Sequence, residues 1–418
     1  MIEKPRVAAW FFALGASVPP LLILLFGAFG IHGNAVVTAC FLVVPICGVA
    51  CFGTTKGFRI GVQDAPFMGL AACCAISFAL NPLVASPKDI MMLILTLAAF
   101  PAARMLSSEY IPFIRQACFR ISAVLVAVGV VVIVPPLVSA WFRIGRPIVF
   151  GFDNAPTSFS FSLGFLVLAF VTSQPVLSSR KGLITLALIS VASAVFAASM
   201  VRFVLLAIPA TVAICFVLSV RDRRICWQLG LVIAVSIAVG LLARLATASA
   251  YMNYVVEALL NFDHCRILNP NNSLEIRRLL LSDAFRLAPT AGLFGFGLDS
   301  FGVLGCLKGY TPHNDVLQAI VEFGWLGGLS FLATIALPLI LLFGPARVER
   351  DTRFVFLLCS FLIMLTMIYG RIDGDIVLFM VLGLAGRLIS EKSAFGRTRT
   401  RENPIDDSQA GVGNLASR

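Results

Sequence analysis

The stretch DVLQAIVEFGWLGGLSFLATIALPLILLF, Asp315 to Phe343, decides the fold. A helix needs about 20 apolar residues to cross a hydrocarbon core about 30 Å thick. This run meets that length with only two charged side chains, Asp315 and Glu322. Working outward, about twelve windows of the same character appear along the chain, among them Val7 to Phe29, Ala117 to Val138, Ile225 to Leu245 and Phe354 to Tyr369. Over 418 residues the composition is 59% hydrophobic and 13% charged, with a mean hydropathy of +0.96. A soluble core does not bury that much apolar surface. The reading is an all-α polytopic membrane protein of about twelve transmembrane helices.

A net charge of +11 would point to nucleic acid in a soluble protein, but here the basic residues follow topology. With the N-terminus cytoplasmic, Lys4, Arg6, Lys56, Arg59, Arg115, Arg120, Arg180, Arg223, Arg347 and Arg353 all fall on one side, and the short opposite connections Ile31 to Asn34 and Asn81 to Pro87 carry no Lys or Arg before Lys88. That is the positive-inside bias. Both termini are therefore expected in the cytoplasm, with residues 1–390 forming the membrane domain and a polar, disordered tail from Glu391 to Arg418. No nucleic-acid partner is expected. The first apolar run lacks a small-x-small cleavage site and reads as an uncleaved helix.

One connection is long. Residues 246–312 form a polar insertion on the outer face, where Asn272 and Glu275 make a capping-box pattern and the following segment reads as helical until Pro289. At helical spacing Leu274, Arg277, Leu281, Ala284 and Ala288 share a stripe, with Glu275, Arg278, Ser282 and Arg286 opposite. Arg278 and Arg286 read as a solvated face paired with Glu275 and Asp283. Arg277 interrupts the apolar stripe and needs an anionic partner. Arg202 is the only charge between Leu183 and Val220, so a turn at the outer surface is expected there. Of the eleven cysteines most sit in apolar windows, where the thiol behaves as a small hydrophobe. No metal is expected. Cys265 and Cys306 share the outer loop, and a disulfide between them is predicted.

The long apolar helix is entered through Pro312-His313-Asn314, and His313 is one of only three histidines, with His32 and His264. An imidazole accepts a proton near neutral pH. Glu322 is a carboxylate inside a span and needs a partner, with Gln318 one turn earlier on the same side. Gly324, Gly327 and Gly328 read as sites of close helix approach. Asp373-Gly374-Asp375 beside Arg371 reads as a turn whose carboxylates the arginine neutralises; its Asp-x-Asp spacing, which can hold a metal, is the competing reading.

Taken in order, Arg146 to Gly151 with Asp153-Asn154-Ala155-Pro156, Ser199-Met200-Val201-Arg202, Ser273 with Arg277, Gly295-Phe296-Gly297 with Phe301, and His313-Asn314 through Gly327 resemble the O-antigen ligase and O-antigen or exopolysaccharide polymerase superfamily. The family's Ser-x-x-Arg segment commonly continues with Gly or Ala, where this chain has Phe203. The resemblance implies a metal-independent, inverting membrane glycosyltransferase without cofactor. It would act at the periplasmic face of the bacterial inner membrane on a glycan carried by undecaprenyl pyrophosphate. It implies His313 as the catalytic base, Arg202, Arg277, Arg146 and Asn314 as substrate-binding residues, and Glu322, Gly295, Gly297, Gly324 and Gly327 as their support. The preferred acceptor is the lipid A core, as in an O-antigen ligase; a polymerase lengthening a carrier-linked polysaccharide is the close alternative. A multi-span secondary transporter is the rival of another class, disfavoured by the absence of an internal repeat.

Overall fold

A computed structural model describes residues 4–30, 35–54, 58–82, 85–139, 147–173, 179–201, 203–219, 223–245, 273–369 and 371–402. The architecture is all-α. Apart from an isolated bridge between Val149 and Phe152, no strand occurs among the described residues. The helices are α1 (Lys4–Ala16), α2 (Val18–Phe29), α3 (Ala35–Phe52), α4 (Asp64–Leu80), α5 (Pro87–Ala103), α6 (Ile111–Ser139), α7 (Ala155–Thr172) and α8 (Arg180–Ala198). They continue as α9 (Phe203–Leu218), α10 (Arg223–Leu245), α11 (Ser273–Leu287), α12 (Ser300–Leu304), α13 (Asp315–Val348), α14 (Arg350–Tyr369) and α15 (Ile376–Glu402).

Six of these helices are long and apolar enough to cross a membrane, or seven if a bent pair counts as one span. The figure of about twelve is thus not confirmed, and the reason lies in how the apolar windows fold. The window from Val7 to Phe29, expected as one helix, bends by 67° between α1 and α2, where Ser17 precedes Pro19 and Pro20 in the first turn of α2. Three others are shorter apolar helices of 10–17 residues. The expected division of Leu183 to Val220 is present, since α8 stops at Ala198 and α9 starts at Phe203. Helix α15 continues to Glu402, past the point where a polar tail was expected to begin.

The centre of the bundle is α7, whose span is 94% buried. It carries Ser158, Ser160, Ser162 and Gly164, small residues that let neighbours approach, and the ring of Phe361 on α14 sits where a side chain at Gly164 would be. Around it the aromatic core continues through Phe67 stacked on Phe100 at 4.0 Å and Phe331 against Phe379 at 6.2 Å.

Helix α13 is not one continuous helix. Gly324 adopts φ 77° and ψ −179°, which separates a short half-helix, residues 315–323, from the long remainder. The backbone groups freed by the break are satisfied by the loop 292–297: Phe296 and Gly297 donate to the carbonyls of Val321 and Glu322, both at 3.0 Å, while Trp325 and Leu326 donate to Gly292 and Leu293 at 3.0 and 3.3 Å. Irregular backbone within a membrane protein requires this kind of pairing, because lipid offers no hydrogen bonds. The fit depends on glycine: a Cβ at Gly324 would lie 2.2 Å from the Leu293 carbonyl, and one at Gly295 2.4 Å from that of Glu322. Gly324 was expected to serve helix packing and instead makes this backbone junction. Gly327 does face α4, where its Cβ would stand 3.5 Å from that of Cys73.

Candidate active site

The half-helix at the head of α13 positions the candidate site. Asn314 caps it, its side-chain oxygen accepting from the Leu317 amide at 3.0 Å, and its amide nitrogen donates to the Met367 carbonyl at 3.1 Å. A cap satisfies one of the helix's unpaired amides. Both polar atoms of Asn314 are thus engaged within the fold, which holds the chain beside its neighbour. That neighbour, His313, is half-buried and holds φ 52°, a left-handed conformation that few non-glycine residues adopt. Burial and the nearby charge of Arg277 lower the His313 pKa from 6.5 to about 4. The imidazole is therefore neutral near pH 7 and able to accept a proton.

Helix α11 brings Arg277 to this point. It runs from Ser273 to Leu287 and ends just before Pro289, as the proline predicts; Asn272 of the capping pattern lies outside the described residues. Its buried face differs from the expected stripe. Leu280, Ala284 and Leu287 pack with Phe301 of α12 and Val321 of α13 in a cluster of their own, whereas Leu281 is 40% exposed and Glu275 is buried. In this orientation Asp283 is fully buried, accepting from the Cys306 amide at 2.6 Å and from Arg286 at 3.1 Å. The expected pairing of Arg286 with Asp283 is present, and Arg278 is exposed. Cys306 is disulfide-bonded; its predicted partner Cys265 lies outside the described residues, as do Arg202 and Arg146. The turn leading to Arg202 is described. Met200 is left-handed at φ 62°, with Val201 donating to Phe196 and Met200 to Ala197 at 3.2 and 2.9 Å, the paired bonds of a Schellman C-terminus.

Behind the histidine lies an acidic layer that the linear order conceals. Glu322 is fully buried and accepts from Gln318 at 3.2 Å on both oxygens, while Gln318 accepts from the Ile372 amide at 3.2 Å. The partner expected for Glu322 one turn away is therefore present. Arg371 meets Asp373 at 2.8 Å, Asp89 at 3.1 Å and Asp299 at 3.5 Å. Burial raises the pKa of Asp373 and of Asp299, and Arg371 opposes both shifts. Burial also raises Asp375, with the neighbouring Asp315 side chain opposing the rise and the charge of Asp373 adding to it. The Asp-x-Asp turn is thus divided: Asp373 goes to Arg371, and Asp375 lies beside Asp315. Among the described residues no group of three or more His, Cys, Asp or Glu side chains is arranged to hold a metal ion. An apolar cavity of about 100 Å³ lined by Phe161, Phe165, Leu362, Leu365 and Val377 reaches Asp375 from the side.

Sequence reasoning singled out His313, Arg277 and Glu322, which the fold brings to one end of the bundle. It read Asp283 only as a partner of Arg286 on a solvated face, not as the buried carboxylate that also accepts from Cys306, and it missed Asp89 and Asp299. Their only sequence signal is a carboxylate near a cap or turn, which is common in any chain. Compared with known families, residues 184–332 match the O-antigen ligase family, a stretch holding Arg202, Arg277, His313 and Glu322. No curated protein matches the chain.

Proposed function

We propose, from the match of residues 184–332 to the O-antigen ligase family, that this chain is a glycosyltransferase moving a glycan from undecaprenyl pyrophosphate to the lipid A core, at the periplasmic face of the bacterial inner membrane. The observation that carries the proposal is His313, neutral and held in a left-handed backbone at the head of a half-helix, beside Arg277.

In this mechanism the acceptor hydroxyl attacks the anomeric carbon as its bond to the pyrophosphate oxygen breaks, and His313 takes the hydroxyl proton. The leaving pyrophosphate keeps the electron pair, and its growing charge is held by the guanidinium groups of Arg277 and Arg202, which match a phosphate in bidentate fashion. Attack opposite the leaving group inverts the anomeric centre. Arg146 is a further donor contact, Asn314 fixes the backbone of His313, and Glu322 with Gly295, Gly297, Gly324 and Gly327 keeps the half-helix in place. The reading uses no metal. Polymerase chemistry uses the same donor and differs only in the acceptor, so the two are separated by product.

The test is purified protein with lipid-linked glycan, in chelator, offered either lipid A core or a second carrier-linked chain, following release of the polyprenyl pyrophosphate. Product on lipid A core supports a ligase, and lengthened carrier-linked chains a polymerase. His313→Ala should bind donor and release no carrier. Arg277→Ala should abolish transfer, Arg277→Lys should restore it only in part because an ammonium lacks the planar fork, and Arg278→Ala should be mild. Wild-type protein that releases no carrier with either acceptor, or His313→Ala as active as wild type, would sink the proposal. Substrate uptake without donor consumption would point to a transporter.

A further inference from the structure

At the end of the bundle away from His313, α1 and α6 enclose a cavity of about 180 Å³ that the proposed transfer does not use. Its position follows from Arg115 near the start of α6, which pairs at 2.5 Å with Asp351 at the start of α14, beyond the far end of α13. Arg6 and Trp10, one turn apart on α1, form one wall. Phe113, Gln116, Ala117 and Arg120, at positions i, i+3, i+4 and i+7 of α6, form the other. The Arg6 guanidinium lies 5.8 Å from the Phe113 ring centroid, within cation–π range. Arg120 makes no ion pair among the described residues, and both arginines and Trp10 are exposed. The described residues that line the cavity include no carboxylate.

Depth sets what this cavity meets. Helix α6 has 29 residues, about 43 Å at 1.5 Å per residue, which exceeds the hydrocarbon core by about 13 Å. From Ile121 to Ser139 it carries no charge, so Arg120 marks the last turn before hydrocarbon. Arg6 is likewise the last charge of its helix. Both guanidinium groups therefore stand at the level of the lipid phosphates, and Trp10 beside them has the amphipathic ring that prefers this interface.

We propose that this groove binds the phosphate of an anionic phospholipid, held by Arg6 and Arg120 with Gln116 as a further donor and Trp10 along the glycerol and upper acyl chain. Two fixed positive charges disfavour a headgroup carrying its own ammonium, so the site discriminates phosphatidylglycerol from phosphatidylcholine. The assignment is independent of the glycan transfer proposed above.

Trp10 supplies the probe. With Trp141, Trp227 and Trp325 replaced by Phe, Trp10 is the only tryptophan, and the protein is reconstituted in phosphatidylcholine vesicles titrated with brominated phosphatidylglycerol or brominated phosphatidylcholine. Brominated phosphatidylglycerol should quench half-maximally at a mole fraction about tenfold lower than brominated phosphatidylcholine. The Arg6→Gln/Arg120→Gln pair should bring the two midpoints together, and Arg6→Lys/Arg120→Lys should keep a reduced preference. Equal midpoints in the wild-type groove, or a preference unchanged in the Gln pair, would overturn the proposal. So would its abolition by inorganic phosphate, but not by chloride at matched ionic strength, since the site would then take a free anion. If the Phe background does not fold, native mass spectrometry of the wild type and the Gln pair, from equal mixtures of the two lipids, reads the same preference as the ratio of lipids retained.

Discussion

At the scale of single residues, His313 is held where its backbone is strained. A left-handed non-glycine residue costs on the order of 1 to 3 kcal/mol, and here the strain is sustained by the Asn314 cap and its bond to Met367. The lowered pKa has a signed consequence. The unfolded imidazole takes its proton near 6.5 and the folded one only near 4, so between these values the unfolded state binds more protons and stability falls as pH drops. The same depression leaves the base neutral above about 4, and transfer should decline only as pH falls through that value. Nuclear magnetic resonance of labelled histidine in His32→Gln/His264→Gln protein should place the His313 midpoint well below 6.5. Arg277→Gln should move it upward by removing a neighbouring cation; an ordinary midpoint in both proteins would remove the electrostatic link between them. His313 and Arg277 were legible as residue types out of place in apolar surroundings. Their proximity was not legible, because it depends on how α11 docks against α12 and α13, and the capping role of Asn314 was not separable from a substrate contact, since both use the same amide.

Among the elements, the junction between loop 292–297 and the break in α13 fixes the half-helix that carries His313. Ala in place of Gly324 must adopt φ 77° and place its Cβ 2.2 Å from backbone atoms of Leu293. Neither the loop backbone nor the helix can yield without losing the bonds that satisfy the break. Gly324→Ala and Gly295→Ala should each destabilise by about 3 kcal/mol or more, read as a lower unfolding temperature in detergent. Gly344→Ala is the comparison: its Cβ meets nothing within 4 Å, and Ala in an exposed helix is favoured by up to about 1 kcal/mol. Equal loss in all three would mean that helix glycines are interchangeable here. The end of α11 was readable from Pro289 alone, since a proline stops a helix locally. The break in α13 was not, because glycines in a membrane span also serve helix contacts, and only the distant loop decides between the two. The bend at Ser17 had its local signal in Pro19 and Pro20, but length and hydropathy treated the window as one span.

On the scale of the whole molecule, Arg371 is the point where separate parts of the chain meet. Its guanidinium reaches Asp89 at the head of α5, Asp299 in the turn before α12 and Asp373 in its own turn. Thr96 of α5 and Gln318 of α13 clamp that turn from either side, at 2.7 and 3.2 Å. None of these pairings is visible in sequence, where Asp89 and Arg371 lie at opposite ends of the membrane domain; the local Asp-x-Asp spacing beside Arg371 was visible and read as a neutralised turn in preference to a metal site. Removing the cation leaves three carboxylates gathered in poorly solvated surroundings. Asp373 and Asp299 already have raised pKa values despite Arg371, and without it they rise further. A carboxyl group with a raised folded pKa contributes stability below its unfolded value and loses it as pH climbs through the folded one. Arg371→Gln should therefore lower the unfolding temperature most at pH 7.5 and progressively less toward pH 5, as the orphaned carboxylates take up protons. The loss at pH 7.5 should be about 1 to 3 kcal/mol, less than for a fully buried pair because the Arg371 side chain is 42% exposed. Unfolding curves of the two proteins at both pH values decide it. A difference that is the same at pH 5 and 7.5 would mean that Arg371 acts through packing alone, and that the acidic layer behind His313 does not depend on its charge.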